Sequence, residues 1–241
     1  MRTHSTSPAA GTGPPAWYGR LGGALLLMAG SAVLMGIVTA EALYPAPYST
    51  NRNTVSDLGA MRPDNIIRQP SAAIFNWTMI VAGLLAIVAA YCIYGALQRK
   101  AIPISTALLG VGMLGVGIFP GNHLTPHTLF ATLAFAAGSI AAILCWKVLS
   151  NPLRYISLGL GTAALVSLIA STNLFINSAP VARLGEGGIE RWIVYCVVLW
   201  MVTFGAYLAS RPAATQAKSA PPQRETAPAL PDIDRHHASS R

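Results

Sequence analysis

The sequence predicts an all-α polytopic membrane protein: a bundle of six transmembrane helices with a structured cap on its outer face. Three observations predict it. Only 10% of the 241 residues are charged and 53% are hydrophobic, where soluble domains carry roughly 25% charged residues. Runs without Asp, Glu, Lys or Arg recur at the length that crosses a bilayer, about 20 residues. The short connections at 98–102 and 147–154 are purely basic, while every acid before the tail falls in the two segments 41–72 and 177–190, the charge asymmetry of a multi-pass chain.

Residues 1–19 are small, polar and rich in Pro and Gly, and read as a flexible cytoplasmic lead-in. The first span is 21–40. Ala40-Glu41-Ala42 resembles a signal-peptide cleavage site, but the apolar core exceeds the 7–15 residues of such signals, so an uncleaved helix is expected. A segment at 41–72 follows. Residues 69–98 carry no charge, and 73–97 is the best helix within them. Residues 101–146 are charge-free and too long for one helix. They break at Phe-Pro-Gly-Asn-His-Leu-Thr-Pro-His, giving spans at 103–119 and 128–146. Spans at 155–176 and 192–210 complete the membrane domain, 20–210, and residues 211–241 read as a disordered cytoplasmic tail.

Orientation follows from the short connections. Arg20, Arg99, Lys100, Lys147, Arg154 and Arg211 flank the ends that would lie inside, which puts both termini in the cytoplasm. The segments 41–72, 120–127 and 177–190 then face outward. They contain every acid before the tail (Glu41, Asp57, Asp64, Glu186, Glu190) together with His123 and His127. The formal charge of +8 is therefore topological. Dispersed at span ends, it does not form a nucleic-acid footprint, and the expected partners are membrane lipids. Any site is expected on the outer side.

The motifs there are short. Ser56-Asp57-Leu58-Gly59 favours an ordered turn; Asp57 serves either as its cap or as a metal ligand, general base or head-group contact. His123 and His127 have an i, i+4 spacing that on one helix face could bind zinc. Pro126 fits only a helix's first turn, so His123 belongs to the turn and His127 to the following helix. A metal site would need Asp57, Glu186 or Glu190 to complete it. Glu190 suits a helix N-terminus, whereas Arg191 there asks for a partner such as Asp57 or Glu41. Gly110-Val-Gly112-Met-Leu-Gly115 matches the letters of a dinucleotide fingerprint, but it lies inside an apolar span rather than after a strand and reads as helix packing. Asn76 and Asn173 read as polar contacts between helices. Cys92, Cys145 and Cys196 all lie in apolar runs, and no disulfide framework is expected.

These outer-face residues also carry a resemblance. Tyr44-Pro-Ala-Pro-Tyr48, Asn53-Thr-Val-Ser56-Asp57-Leu58-Gly59, Phe119-Pro120, His127-Thr-Leu-Phe-Ala131 and Gly188-Ile-Glu190-Arg191 occur in the order seen in a bacterial membrane family catalogued as domain of unknown function 998. The resemblance covers roughly 20–210. More distantly, the chain is similar to Frag/DRAM-like membrane proteins, some of which are linked to lipid-anchor remodelling or autophagy. The resemblance implies a six-helix bundle in a bacterial plasma membrane, with the shared residues on one face; it names no cofactor and no activity.

Three functions fit. In the first, the protein binds a lipid head group or similar amphiphile without catalysis, through Asp57, His127, Glu190 and Arg191, with Arg191 on a phosphate or carboxylate. In the second, it is an intramembrane hydrolase or lipid-modifying enzyme, metal-dependent or acid-base, using Asp57, His127 and Ser56, with His123 as a further metal candidate. In the third, it is a structural membrane subunit whose outer charges form an ion-pair clasp.

Overall fold

The computed structural model describes residues 17–61, 64–97, 99–172 and 179–211. Most of the expected lead-in and tail, Arg62 and Asn173 lie outside the described residues. Six helices of membrane-spanning length and composition are present: α1 (Trp17–Ala42), α2 (Ser71–Leu97), α3 (Ala101–Ile118), α4 (Leu124–Leu144), α5 (Leu153–Ala170) and α6 (Ala179–Ala209). The helices overrun several of the apolar spans. Backbone hydrogen bonding continues past the point where charge begins, most of all in α6, which runs through Glu190 and Arg191. A 3-10 turn at Ser56–Leu58 lies in the α1–α2 connection.

Each helix packs on its neighbours in sequence, and α6 returns to α1, closing a ring. Packing relies on small residues, as expected where lipid removes the usual hydrophobic drive between helices. On α1, a Cβ at Gly23 would lie 2.6 Å from the Gly205 carbonyl of α6, and one at Gly22 would lie 2.9 Å from the Cys92 Cβ of α2. The glycines of α3 divide between two partners. Gly110 and Gly117 meet α2 at the Gly83 and Asn76 carbonyls, while Gly112 and Gly115 meet α4 at Ala134 and the Phe130 ring. That division gives the nucleotide-like spacing a packing role. The cysteines Cys92, Cys145 and Cys196 are free and buried.

α5 is the least integrated helix. Only 17% of its apolar window is buried, against 56% for α3 and α6, and it buries only Ser157, Gly161 and Ala164. The bundle has two chemically distinct ends. At one, Tyr207 Oη approaches the Val148 carbonyl, and a small cavity gathers Arg99, Lys100 and Lys147. At the other, the α1–α2 connection folds over the ring and meets α6.

Candidate functional site

The α1–α2 connection docks on a break in α6. Gly185 has φ 70°, outside helical geometry, a conformation open to glycine at no steric cost. The break leaves the Arg183 and Leu184 carbonyls short of helical donors, and Asn51 Nδ2 donates to both, at 3.1 and 2.8 Å. The Gly187 N–H donates back to the Asn51 carbonyl at 3.0 Å. A turn at Ser49–Asn53, closed by Arg52 and Asn53 N–H donations to the Ser49 carbonyl, then presents further carbonyls to α6.

Arg191 occupies that concavity and is 8% exposed. Its Nη1 donates to the carbonyls of Thr50, Asn53 and Gly187 at 2.8–2.9 Å. Its Nη2 donates to Glu41 Oε1 at 2.5 Å and to Tyr48 Oη at 2.8 Å. Tyr48 in turn donates to the Thr54 carbonyl at 2.7 Å. Burial pushes the Tyr48 phenol well up from its ordinary value, with Glu41 and Glu190 adding to the shift and Arg191 opposing it, so the hydroxyl keeps its proton. The partner that Arg191 requires is thus Glu41, at the C-terminal end of α1. A planar guanidinium with five donors suits this many-sided cage where an ammonium would not.

Asp57 does a different job. Its Oδ2 accepts from the Thr54 N–H at 2.8 Å, while Thr54 Oγ1 accepts from the Asp57 N–H at 3.3 Å. This reciprocal pair closes a helical first turn and explains the ordering of the Thr54-Val-Ser-Asp57 run. Asp57 is 6% exposed. The turn aims Ser56 at α6: its Oγ donates to Glu190 Oε1 at 2.6 Å, and its N–H donates to the same oxygen at 3.3 Å.

His127 lies in the first turn of α4, where Pro126 is tolerated. It is 3% exposed, and its Nδ1 is 2.8 Å from the Phe119 carbonyl. His123 precedes the helix, is exposed, and accepts the His127 N–H on its carbonyl. Among the described residues no group of three His, Cys, Asp or Glu is placed to hold a metal ion.

Ser56, Glu190 and His127 meet at one cavity of about 360 Å³, between α4, α5 and α6 at the end of the bundle that carries the α1–α2 connection. Its polar wall also includes Thr54, Thr128, Thr132, Ser171 and Glu186, and among the described residues no Lys or Arg lines it. Below this vestibule lies a narrow apolar slot on the bundle axis with about 50 Å³ of free space, walled by Val33, Phe75, Met79, Met113, Val197 and others from five helices. Ser56, Ala131, Phe135 and Glu190 line both spaces, so the vestibule and the slot adjoin at these residues. Neither Asp57 nor Arg191 lines the vestibule. The sequence-expected residues therefore divide: Ser56, Glu190 and His127 share a cavity, Asp57 closes the turn that carries Ser56, and Arg191 fastens that segment to α6. Sequence reasoning missed Thr128 and Thr132, whose i, i+4 spacing on an otherwise apolar helix was the available signal, and Tyr48, whose role depends on a fold contact.

Six apolar membrane-length helices closed in a ring define a polytopic integral membrane protein. The chain matches the family model described as Protein of unknown function (DUF998) over residues 8–207, and it belongs to that family. No curated protein and no solved structure matches it.

Proposed function

We propose that the protein binds a single amphiphile, with its head group in the vestibule and its apolar portion entering the slot. The adjacency of the two spaces, which share Ser56, Ala131, Phe135 and Glu190 as lining, supports this reading. Ligand sites combine an apolar body with a few placed polar groups, and here the polar groups are hydroxyls, an imidazole and carboxylates. Such a lining suits an uncharged hydroxylated or an amine-bearing head group. Arg191 belongs to the scaffold of this site, because its Nη donors are taken by Glu41, Tyr48 and backbone carbonyls. The vestibule faces outward and both termini lie in the cytoplasm, since Arg99, Lys100, Lys147 and Arg154 flank the connections at the opposite end. The family resemblance supports a bacterial plasma membrane.

A second reading, acid-base hydrolysis of a bound lipid, draws on Ser56 Oγ at 2.6 Å from the Glu190 carboxylate with His127 in the same cavity. One experiment addresses both. Native mass spectrometry of the purified protein, released from membranes in mild detergent, reads retained amphiphiles and any cleaved products. Binding predicts a retained species in the wild type that is lost in Ala131→Leu, which narrows the passage between vestibule and slot, with thermal stability kept. A retained species unaffected by Ala131→Leu contradicts the reading. Products that accumulate with wild type and cease with Ser56→Ala support hydrolysis.

A further inference from the structure

The charges of α6 are sorted by face. Glu186 and Glu190 line the vestibule, while Arg183 and Arg191 line a separate groove of about 590 Å³ between α6 and Leu160 of α5, bordered by Thr50 and Asn51. The same groove carries Trp192 and Tyr195, and its deeper wall is Leu160 of α5 and Leu199 of α6. It stays open because α5 contributes only its short stripe of small residues to the core. Among the described residues no acidic one lines it.

The polar end of the groove is built for an anion. Arg183 is exposed, and the Asn51 amide fixes its backbone through the carbonyl. Arg191, 8% exposed, adds its positive charge to the lining. Guanidinium groups pair well with phosphate oxygens, and Arg183 is the accessible one. Trp192 is 53% exposed and sits where aromatic side chains mark the membrane interface. From Trp192 to Leu199 the helix descends about 10 Å, so the wall becomes apolar one head-group depth below the arginines.

We propose that this groove holds an anionic phospholipid from the leaflet on the side of the α1–α2 connection, with its phosphodiester on Arg183 and one acyl chain between α5 and α6. With no carboxylate in the groove to receive an ammonium, the site selects net negative over zwitterionic phospholipids. The site is distinct from the vestibule and does not depend on the vestibule having a ligand.

The test is native mass spectrometry of the full chain in mild detergent, mixed with equal amounts of phosphatidylglycerol and phosphatidylcholine carrying identical chains. Wild type is expected to retain phosphatidylglycerol about fivefold better, the scale of one cation acting on one added negative charge at a membrane surface. Arg183→Gln, at an exposed position, is expected to bring the ratio to about one, while Glu190→Gln leaves it unchanged. Equal retention of both lipids by wild type, or an unchanged preference in Arg183→Gln, overturns the proposal. Loss of the preference in Glu190→Gln with its retention in Arg183→Gln assigns the lipid to the vestibule and also overturns it. Inorganic phosphate is expected not to displace the lipid; displacement shows a free-anion site instead.

Discussion

Replacing Arg191 with Met isolates the clasp, because it keeps much of the side chain's length and removes its charge and donors. The substitution leaves the Thr50, Asn53 and Gly187 carbonyls without the Nη1 donor they share, and it strips Glu41 of its cation. Removing one member of a buried ion pair costs about 3–5 kcal/mol, and Glu41, at 20% side-chain exposure, is shielded enough to sit near the lower part of that range. For a chain of this size about 3 kcal/mol lowers the melting temperature by about 6–12 °C. The free buried cysteines Cys92, Cys145 and Cys196 supply the assay: a thiol-reactive fluorophore lights up as the detergent-solubilised bundle opens. Glu41→Gln is expected to cost less, about 1–3 kcal/mol, since the amide oxygen still accepts a hydrogen bond. The double variant is expected to fall short of the summed single effects by about 1 kcal/mol or more, because it leaves no uncompensated charge. Melting temperatures within 1–2 °C of wild type for Arg191→Met, or strict additivity in the cycle, would refute the clasp.

The break in α6 makes a paired prediction: Gly187→Ala, whose Cβ would meet the Thr50 carbonyl at 2.5 Å, is strongly destabilising, whereas Gly188→Ala, with its nearest neighbour the Leu184 side chain at 3.4 Å, is tolerated. The same thermal assay reads both. At α3, Gly110→Val would press on the Gly83 carbonyl at 2.8 Å and cost about 1–3 kcal/mol or more, with no nicotinamide or flavin nucleotide bound by the wild type in an equilibrium titration. Tyr48 has a pKa raised on folding, so its contribution to stability is complete below the unfolded value of about 10 and is lost as pH rises above it. Tyr48→Phe is expected to lower stability by about 1–2 kcal/mol at neutral pH and to flatten the decline above that value. Elemental mass spectrometry of protein purified without a histidine tag is expected to find no stoichiometric zinc; zinc that disappears in His127→Ala would contradict this.

The membrane helices were legible because lipid imposes a constraint that composition reveals: long runs without charge. The pairing of basic and acidic connections was legible for the same reason. What lay beyond it was the break at Gly185. A glycine beside Glu186-Gly187-Gly188 reads as a loop, and only the docked Asn51 shows that the helix resumes through it. Arg191 announced its need for a partner, because a cation near a helix N-terminus opposes the dipole, but choosing Glu41 over Asp57 required the path of the chain between them. For Asp57 the sequence left capping and binding open, because a buried acid in a turn has the same local sequence in either role, and the reciprocal bonds with Thr54 show the capping one. Helical periodicity alone separates Glu186 and Glu190 from Arg191: residues 186, 190 and 193 share one side and 191 and 195 another, whereas Arg183, seven residues before Glu190, would fall on the acidic side of an unbroken helix and reaches the groove beyond the break at Gly185. The slot was not available, since it arises where five helices fail to fill the axis completely.

The central claim is that an apolar chain enters the bundle through the vestibule. The most direct measurement is photo-crosslinking with an uncharged single-chain amphiphile that carries a diazirine near the chain terminus, followed by peptide mapping. Labels are expected on slot residues such as Met79, Met113, Val194 and Val197, and are expected to be lost in Ala131→Leu. Labels confined to lipid-facing positions such as Val81, Val111 and Val166, equal in both proteins, would contradict it.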